Sequence, residues 1–251
     1  MNTYNKVSSF YKQITLLSNI SGILHWDSST MMPQNSCKER SEELALLASL
    51  NQKFLCSDQF GHALEGVTDN KLNDWQKANI REIKLARENA LSVDTKLTES
   101  FVKATTEGKA IWAKARSKND FKLFAPHLKK TLSLAREIAQ SRQKHFKRES
   151  TYDALMDQYD FGSTQKDLDA IFSNLRAWLP GAIDKAISKQ KNTKIIEFDQ
   201  GFSVEKQGER ALMCMKQLGF NFTRGRIDTS VHPFCGGNSF DVRLTTRYDV
   251  K

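Results

Sequence analysis

The sequence predicts a mainly α, multi-helix protein with a small β element near its C-terminus. Glycine and proline are scarce, at 12 and 4 of 251 residues, which favours long uninterrupted helices. Apolar residues recur at helical spacing as far as about residue 219, and only then does the period change to two. Because no internal repeat or linker interrupts the chain, we expect residues 1–251 to form a single helical domain.

The first four helices are predicted by apolar periodicity and by helix-forming composition. A helix over residues 3–27 carries one apolar stripe, which consists of Val7, Phe10, Ile14, Leu17 and Leu24. Ser36 followed by Glu39 fits a capping box, which predicts that a second helix extends from there to the mid-fifties. Stretches rich in helix formers predict two more helices, over 71–91 and 95–117.

Three further helices follow in the C-terminal part of the helical region. Pro126 suits the first turn of the next helix. Thr164 caps a helix with a wide apolar face that we expect to pack in the core, and Pro180 should kink or end this helix. That face comprises Leu168, Ile171, Phe172, Leu175, Trp178 and Leu179. Ser203 begins the last helix, and Gly219 stands just past its end, where a left-handed residue is favoured.

The segment DVRLTTRYD, which ends two residues before the C-terminus, alternates in polarity and therefore predicts a strand. One face carries Asp241, Arg243, Thr245, Arg247 and Asp249. The other face, which we expect to pack on helices, carries Val242, Leu244, Thr246 and Tyr248. Two interpretations of the polar face stay open. It is either an exposed edge whose charges discourage aggregation or a groove wall that binds a polar ligand such as an extended peptide.

The turn before this strand, HPFCGG, carries a histidine in a constrained backbone. Pro233 biases His232 toward an extended conformation, and Gly236 and Gly237 allow close backbone approach. His232 and Cys235 have the spacing of half a zinc site, but the sequence holds no second pair to complete one. It also holds no H-E-x-x-H, G-x-S-x-G, phosphate loop or dinucleotide fingerprint, so its residues alone make no complete active site.

Charge and cysteine usage restrict the class of protein. The net charge is +9, and residues 101–150 hold thirteen Lys/Arg against four Asp/Glu, so this stretch carries the whole excess. No apolar run approaches the ~20 residues that span a bilayer, which predicts that the protein has no membrane segment. The four cysteines have no paired spacing, which favours a reducing, cytoplasmic location over a disulfide framework.

Two motifs near the C-terminus resemble those of the carboxypeptidase Taq family of zinc-dependent metallocarboxypeptidases. The tripeptide at 232–234 matches the family's HPF motif, and Asp241, Arg243 and Thr245 match its D-x-R-x-T motif. Three other regions support the resemblance, namely HWDSSTMMPQNSCKER, DFKLFAPHLKK and YDALMDQYDFGSTQKDLDAIFSNL. The resemblance therefore extends over essentially the whole chain, and the order and spacing of its parts make it specific.

The resemblance also indicates what the chain lacks. In the family, a helix bearing H-E-x-x-H follows soon after the D-x-R-x-T strand and, with a later glutamate, holds the zinc. No such motif is present in this sequence. The resemblance therefore implies a multi-helix fragment of a gluzincin-type metallopeptidase, the N-terminal half only, truncated before the zinc-binding helix and without metal ligands. It also implies three partners: a peptide substrate, the missing C-terminal half and a second copy in a homodimer.

The activity implied by the resemblance is zinc-dependent release of C-terminal amino acids from peptides, with this chain inactive on its own. In the complete enzyme, zinc polarises the scissile carbonyl and lowers the pKa of a bound water toward about 7. His232 is then expected to be a catalytic wall residue near the reacting carbonyl. Asp241, Arg243 and Thr245 are expected to shape and brace the substrate-binding groove, although Arg243 pairing with Asp241 as indirect support is equally consistent with the motif.

Two other classes of function are consistent with the composition. The basic stretch at 101–150 is compatible with a helical nucleic-acid-binding protein, but its charges alternate with apolar residues as on the solvated face of core helices. We therefore expect no nucleic-acid partner. A helical scaffold or dimerisation module is the remaining alternative. If the chain is half of an enzyme, apolar surface should be exposed near residues 225–250.

Overall fold

The computed structural model describes residues 3–68, 72–191, 193 and 202–248. In this part of the chain the helices are α1 (Thr3–Thr30), α2 (Cys37–Cys56), α3 (Asp58–Glu65), α4 (Asp74–Leu91), α5 (Thr95–Ser117), α6 (Phe121–Phe146), α7 (Thr151–Met156), α8 (Gln165–Lys191) and α9 (Val204–Gln217). The strands are β1 (Gly225–Thr229), β2 (Cys235–Asn238) and β3 (Asp241–Thr246). The predicted fold class, mainly α with a small β element near the C-terminus, is confirmed.

The main hydrophobic core lies between α1, α3 and α4. Its buried members are Val7, Ile14, Phe60, Ala63, Leu64, Leu72, Ile80 and Ile83. The first two belong to the apolar stripe predicted for the first helix, which is therefore a core-facing stripe. Phe60 is only 1% exposed, and its ring meets that of Phe10 edge to face with centroids 6.2 Å apart.

The remaining N-terminal helices pack around α2. It lies along α1, α4 and α5, and α5 in turn lies along α6. A short 3₁₀ turn (Gln34–Ser36) precedes α2, and Ser36 makes no side-chain hydrogen bond to the helix, so the predicted capping box is wrong. Most basic side chains of α5 and α6 are exposed. Arg142 is an exception, because it is buried and donates to the Ala154 carbonyl at 2.9 Å.

Two prolines lie inside helices rather than at their ends. Asp120 caps α6 by accepting a hydrogen bond from the Leu123 amide at 3.2 Å, so Pro126 lies in the second turn, and its predicted first-turn position is wrong. Of the two outcomes expected at Pro180, a kink or an end of the helix, the end does not occur, because α8 continues to Lys191. Both prolines are exposed, so water can reach the backbone carbonyls that lose an intrahelical partner there.

The apolar face of α8 is not a core face in this chain, and the prediction that it packs in the core is wrong. No residue of α8 is buried, and Trp178 is 53% exposed. No described element packs extensively along this helix. Its N-terminus is nevertheless formed as predicted, since Thr164 Oγ1 accepts from the Asp167 amide at 3.2 Å and the Thr164 amide donates to the Asp167 carboxylate at 3.0 Å.

The strands form one sheet in the order β1-β3-β2, with β3 in the centre. β1 pairs with β3 in parallel, and β2 pairs with it antiparallel. Gly237, the next-to-last residue of β2, has a φ of +83°, and a Cβ there would lie 1.8 Å from the Asp241 carbonyl oxygen. Only glycine fits at this position. Of the described helices, none is sufficiently long and apolar to cross a membrane.

Candidate functional site

The HPF tripeptide lies in the loop between β1 and β2, and β3 positions this loop. Thr245 on β3 is buried, and its hydroxyl receives hydrogen bonds from the Phe234 amide at 2.8 Å and from Ser230 Oγ at 2.7 Å. The Thr245 hydroxyl lies 3.1 Å from the Phe234 carbonyl, which also accepts from the Thr245 amide at 2.9 Å. Ser230 Oγ lies 2.7 Å from the His232 carbonyl. One threonine thus holds the loop on both sides of His232.

Arg243 joins the sheet to helix α1. Its guanidinium group donates to both carboxylate oxygens of Asp241, with Nε–Oδ1 at 2.9 Å and Nη2–Oδ2 at 2.7 Å. The same group lies over the ring of Trp26, with Cζ 4.4 Å from the ring centroid. Arg226 on β1 lies against this ring as well, at 5.0 Å, and is paired with Asp228. The buried indole therefore contacts cations from two neighbouring strands.

This arrangement changes the expected orientation of β3. The face with Arg243 and Thr245 packs on α1 and the loop, whereas Val242 on the opposite face is 37% exposed. The expectation that the Val242 face is the one packed on helices is wrong for Val242 itself. The strand ends at Thr246, so Arg247 lies beyond it, and the predicted position of Asp249 lies outside the described residues.

The Asp241–Arg243 pair has an electrostatic consequence. The hydrogen bond from the Arg243 side chain lowers the pKa of Asp241 below its ordinary value, and the nearby charge of Arg226 lowers it further. Asp241 is therefore ionised at neutral pH and is paired with the Arg243 guanidinium group. Of the two roles left open for Arg243, the observed contacts correspond to pairing with Asp241.

A cavity of about 620 Å³ adjoins the loop. It lies between the end of α1, the start of α2, α5 and the HPF loop, and its polar and aromatic lining includes His25, Ser29, Lys109, Trp112, His232 and Phe234. The Lys109 ammonium group donates to Ser29 Oγ at 2.6 Å and lies 5.3 Å from the Phe234 ring centroid. His232 is exposed at the wall of this cavity.

The cavity lining combines a cation with neutral polar groups. Although Lys109 is an exposed residue overall, desolvation of its ammonium group lowers its pKa. Desolvation also lowers the pKa of His25, and the charge of Lys109 lowers it further, which favours the neutral imidazole at neutral pH. The Thr106 hydroxyl is buried without a hydrogen-bond partner among the described residues.

The described residues do not fit a metal ion. Within the described ranges no group of three or more His, Cys, Asp and Glu side chains is arranged to hold one. His232 and Cys235 lie near each other in sequence, yet both are exposed and neither belongs to such a cluster.

Comparison with known proteins identifies the family. A model of the carboxypeptidase Taq (M32) metallopeptidase family matches residues 6–251. This chain belongs to that family. The M32 chain is 28% identical to thermostable carboxypeptidase 1 of Thermus thermophilus over 257 residues and 29% identical to carboxypeptidase 1 of Bacillus subtilis over 259 residues. These alignments cover 98% and 100% of this chain but only 50% of each relative.

A solved structure extends the likeness to the fold. Metallocarboxypeptidase 1 of Trypanosoma cruzi superposes with a TM-score of 0.81 at 32% identity, over 98% of this chain and 50% of the other. The M32 chain therefore spans about half the length of the relatives it matches, and it corresponds to their N-terminal half.

The structure brings together residues that the motifs separate in sequence. HPF and D-x-R-x-T meet through Thr245, and D-x-R-x-T meets the N-terminal Trp-Asp pattern through Arg243 and Trp26. In the same pattern Arg40 donates to the Asp27 carboxylate at 2.6 Å, which ties α2 to the end of α1. Lys109 was not among the residues predicted from the sequence, although its spacing from Trp112 at helical period on α5 was a usable signal.

Proposed function

We propose that this chain forms one wall of the substrate groove of an M32 carboxypeptidase that releases C-terminal amino acids from peptides. The observation that carries the proposal is the HPF loop, which is fixed by Thr245 beside a polar and aromatic cavity. The metal of this metallopeptidase family is zinc in our proposal, and its ligands belong to the half of the enzyme that this chain does not span. On its own, the chain is then inactive.

Within this wall the motif residues have different roles in our proposal. His232 is the catalytic residue that faces the reacting peptide, which is supported by its exposure at the cavity wall. Asp241, Arg243 and Thr245 act on the substrate-binding groove by bracing it. Their contacts within the chain support this role. Arg243 is paired with Asp241 and lies over the Trp26 ring, and Thr245 is hydrogen-bonded to the HPF loop. We further propose a cytoplasmic location, supported by the free state of all four cysteines.

The test joins the full chain to the missing half. The full 251-residue chain is co-expressed with the half of Bacillus subtilis carboxypeptidase 1 that it does not match, as two polypeptides. Release of the C-terminal amino acid from an N-terminally blocked peptide is measured with added zinc and with a chelator. We expect zinc-dependent release by the pair and none by the chain alone. A zinc-loaded pair that releases no amino acid would contradict the proposed function.

Variants of this pair test the role of His232. His232→Ala should lower kcat about a hundredfold, the usual effect of removing one hydrogen-bond donor to a developing oxyanion. The matched control is His62→Ala, because His62 is an exposed histidine in the last turn of α3, away from the cavity. This control should keep full activity. Equal activity of the two variants would show that His232 has no catalytic part.

A further inference from the structure

Buried residues are distributed unevenly along the described chain. Up to Asp157 buried residues occur on each of the helices α1 to α7. Among the described residues after Asp157, Thr245 alone is buried. The C-terminal elements, from α8 to β3, therefore have almost no core of their own, although they carry many large apolar side chains that are exposed.

Helix α8 concentrates these uncovered side chains. Its exposed large hydrophobic residues are Ile171, Phe172, Trp178, Leu179, Ile183 and Ile187. At 100° per residue these positions cover an arc of about 180° along one side of the helix. The helix has 27 residues, which corresponds to a length of about 40 Å. Uncovered apolar surfaces of this extent mark an interaction site on a folded protein.

We propose that this face of α8 is the docking surface for the half of the M32 fold that this chain does not span. The inference rests on the proposed function, in which two halves make one enzyme, and it assigns the surface through which they join. The occupant is a polypeptide equivalent to the unmatched half of the relatives, which is as long as this chain because the chain covers 50% of each of them.

The shape of the apolar face favours that occupant over a second copy of this chain. A two-helix seam between copies needs a narrow stripe at two positions in seven, whereas the face of α8 is about half of the helix circumference. So wide a face is typical of a helix that packs against several elements. Further large apolar residues are exposed on α9, in the turn between β2 and β3 and on β3, namely Leu212, Met213, Phe240 and Val242. One partner helix would leave these uncovered.

The test uses variants of α8 in the full chain. Phe172→Asp with Leu179→Asp places two charges at the centre of the face, and Ser173→Asp with Ser188→Asp places the same charges on the opposite, polar side. Each chain is co-expressed with the tagged, unmatched half of Bacillus subtilis carboxypeptidase 1. The dissociation constant of the purified complex is then measured by sedimentation.

We expect the wild-type chain to form a one-to-one complex. The Phe172/Leu179 variant should bind at least about a hundredfold more weakly, because unpaired charges would be buried, and the Ser173/Ser188 control should bind within about threefold of wild type. Phe172→Ala with Leu179→Ala keeps the helix propensity and should weaken binding to an intermediate degree. Circular dichroism of each chain verifies that α8 is still helical.

The opposing results are distinct. No complex with the wild-type chain, or equal binding by both aspartate variants, overturns the docking surface. A dimer of this chain that only the Phe172/Leu179 variant abolishes, with no complex, assigns the face to a second copy and also overturns it. A complex without peptidase activity contradicts the proposed function and leaves the docking surface intact. Peptidase activity that is unchanged in the Phe172/Leu179 variant overturns the docking surface and leaves the proposed function intact.

Discussion

At the scale of single residues, Thr245 is the contact on which the candidate site depends. It is buried and bonds to both the amide and the carbonyl of Phe234, so the loop cannot move without breaking these bonds. An unpaired buried donor or acceptor costs about 1–3 kcal/mol, which is much more than the net gain from one exposed hydrogen bond. The threonine of the D-x-R-x-T motif therefore explains why the HPF loop has a defined position.

Replacing this hydroxyl should detach the loop. Thr245→Val keeps the shape of the side chain but leaves the Phe234 amide without its acceptor, and we expect a cost of about 2 kcal/mol. The amide of residue 245 still donates to the Phe234 carbonyl in this variant. Its hydrogen exchange, measured by NMR, should become about 30-fold faster.

Thr246→Val is the matched control for this variant. The Thr246 hydroxyl donates to the Asp228 carbonyl over a longer distance, 3.3 Å, and the residue is only half-buried. We expect this change to cost less than about 1 kcal/mol and to leave the exchange at residue 245 nearly unchanged. If the two valine variants behave alike, the loop is held by something other than the Thr245 hydroxyl.

The Asp241–Arg243 pair should make part of the stability depend on pH. Because the hydrogen bond from Arg243 lowers the pKa of Asp241 in the folded state, the pair stabilises the fold above the unfolded pKa of about 4. This contribution is lost as the pH falls toward the lower, folded-state pKa. We therefore expect Asp241→Asn to be less stable than wild type at pH 7 and to approach wild type below pH 4, as measured by urea unfolding across that range.

The control for the pH experiment is Asp169→Asn. Asp169 is an exposed residue of α8, so its replacement should leave the pH dependence of unfolding as in wild type. A difference between Asp241→Asn and wild type that stays constant down to pH 3 would contradict the assigned role of the pair.

The sequence predicted which residues share a face of the strand better than it predicted their contacts. Alternation correctly indicated that Arg243 and Thr245 lie on one face of a strand. It could not indicate that this face meets Trp26, because the two residues are more than two hundred positions apart and their contact depends on how α1 crosses the sheet. The polarity pattern suggested that the apolar face of β3 would pack on helices. The polar face packs on α1 instead, because the Arg243 side chain lies over the Trp26 ring.

At the scale of secondary structure elements, long periodic helices were predictable and short ones were not. The predicted helix over 95–117 agrees with α5, and the predicted strand agrees with β3 apart from its last residues. The short helix α3 was missed, since eight residues are too few to show a period. β2 was missed because its sequence, CGGN, has no strand propensity, and it is stabilised by pairing with β3 and by packing on α1.

The junction of α6, α7 and α8 depends on one buried carboxylate. The Asp157 side chain is fully buried and pairs with Arg148 through bonds of 2.7 and 2.6 Å, and it also accepts from the Gly162 amide at 3.1 Å. Asp157→Ala leaves these donors without an acceptor. We expect a loss of about 3 kcal/mol in the free energy of unfolding, measured by urea titration with far-UV circular dichroism.

Asp160→Ala is the control for the junction. Asp160 is exposed and accepts a hydrogen bond from Ser163 Oγ alone among the side-chain contacts described for it. Its removal should change the free energy of unfolding by less than about 0.5 kcal/mol. A small effect of Asp157→Ala, equal to that of the control, would mean that the junction is held by backbone contacts.

At the scale of the whole molecule, the chain divides into a part with a core and a part without one. The N-terminal helices bury Val7, Phe60 and their neighbours, whereas α8 and α9 have no buried residue. Periodicity predicts that a helix has an apolar face, but it does not predict where the polypeptide that covers this face comes from. For this reason the apolar face of α8 was expected to pack in the core, whereas it is exposed in this chain.

This division should be visible as a difference in local stability. Helices α6 and α8 have nearly equal lengths, 26 and 27 residues, but α6 packs along α5 while no described element packs extensively along α8. Because an unpacked helix in water is only marginally stable, α8 should open at little cost. In the isolated chain, central amides of α8 should exchange at least about a hundredfold faster than those of α6, measured by hydrogen exchange with mass spectrometry.

Addition of the unmatched half of Bacillus subtilis carboxypeptidase 1 provides the internal control. Covering the apolar face of α8 should slow the exchange of α8 toward that of α6, while α6 itself should change little, since its partner α5 is already in place. Equal protection of α6 and α8 in the isolated chain would contradict this division, because α8 would then have a stabilising partner without the other half.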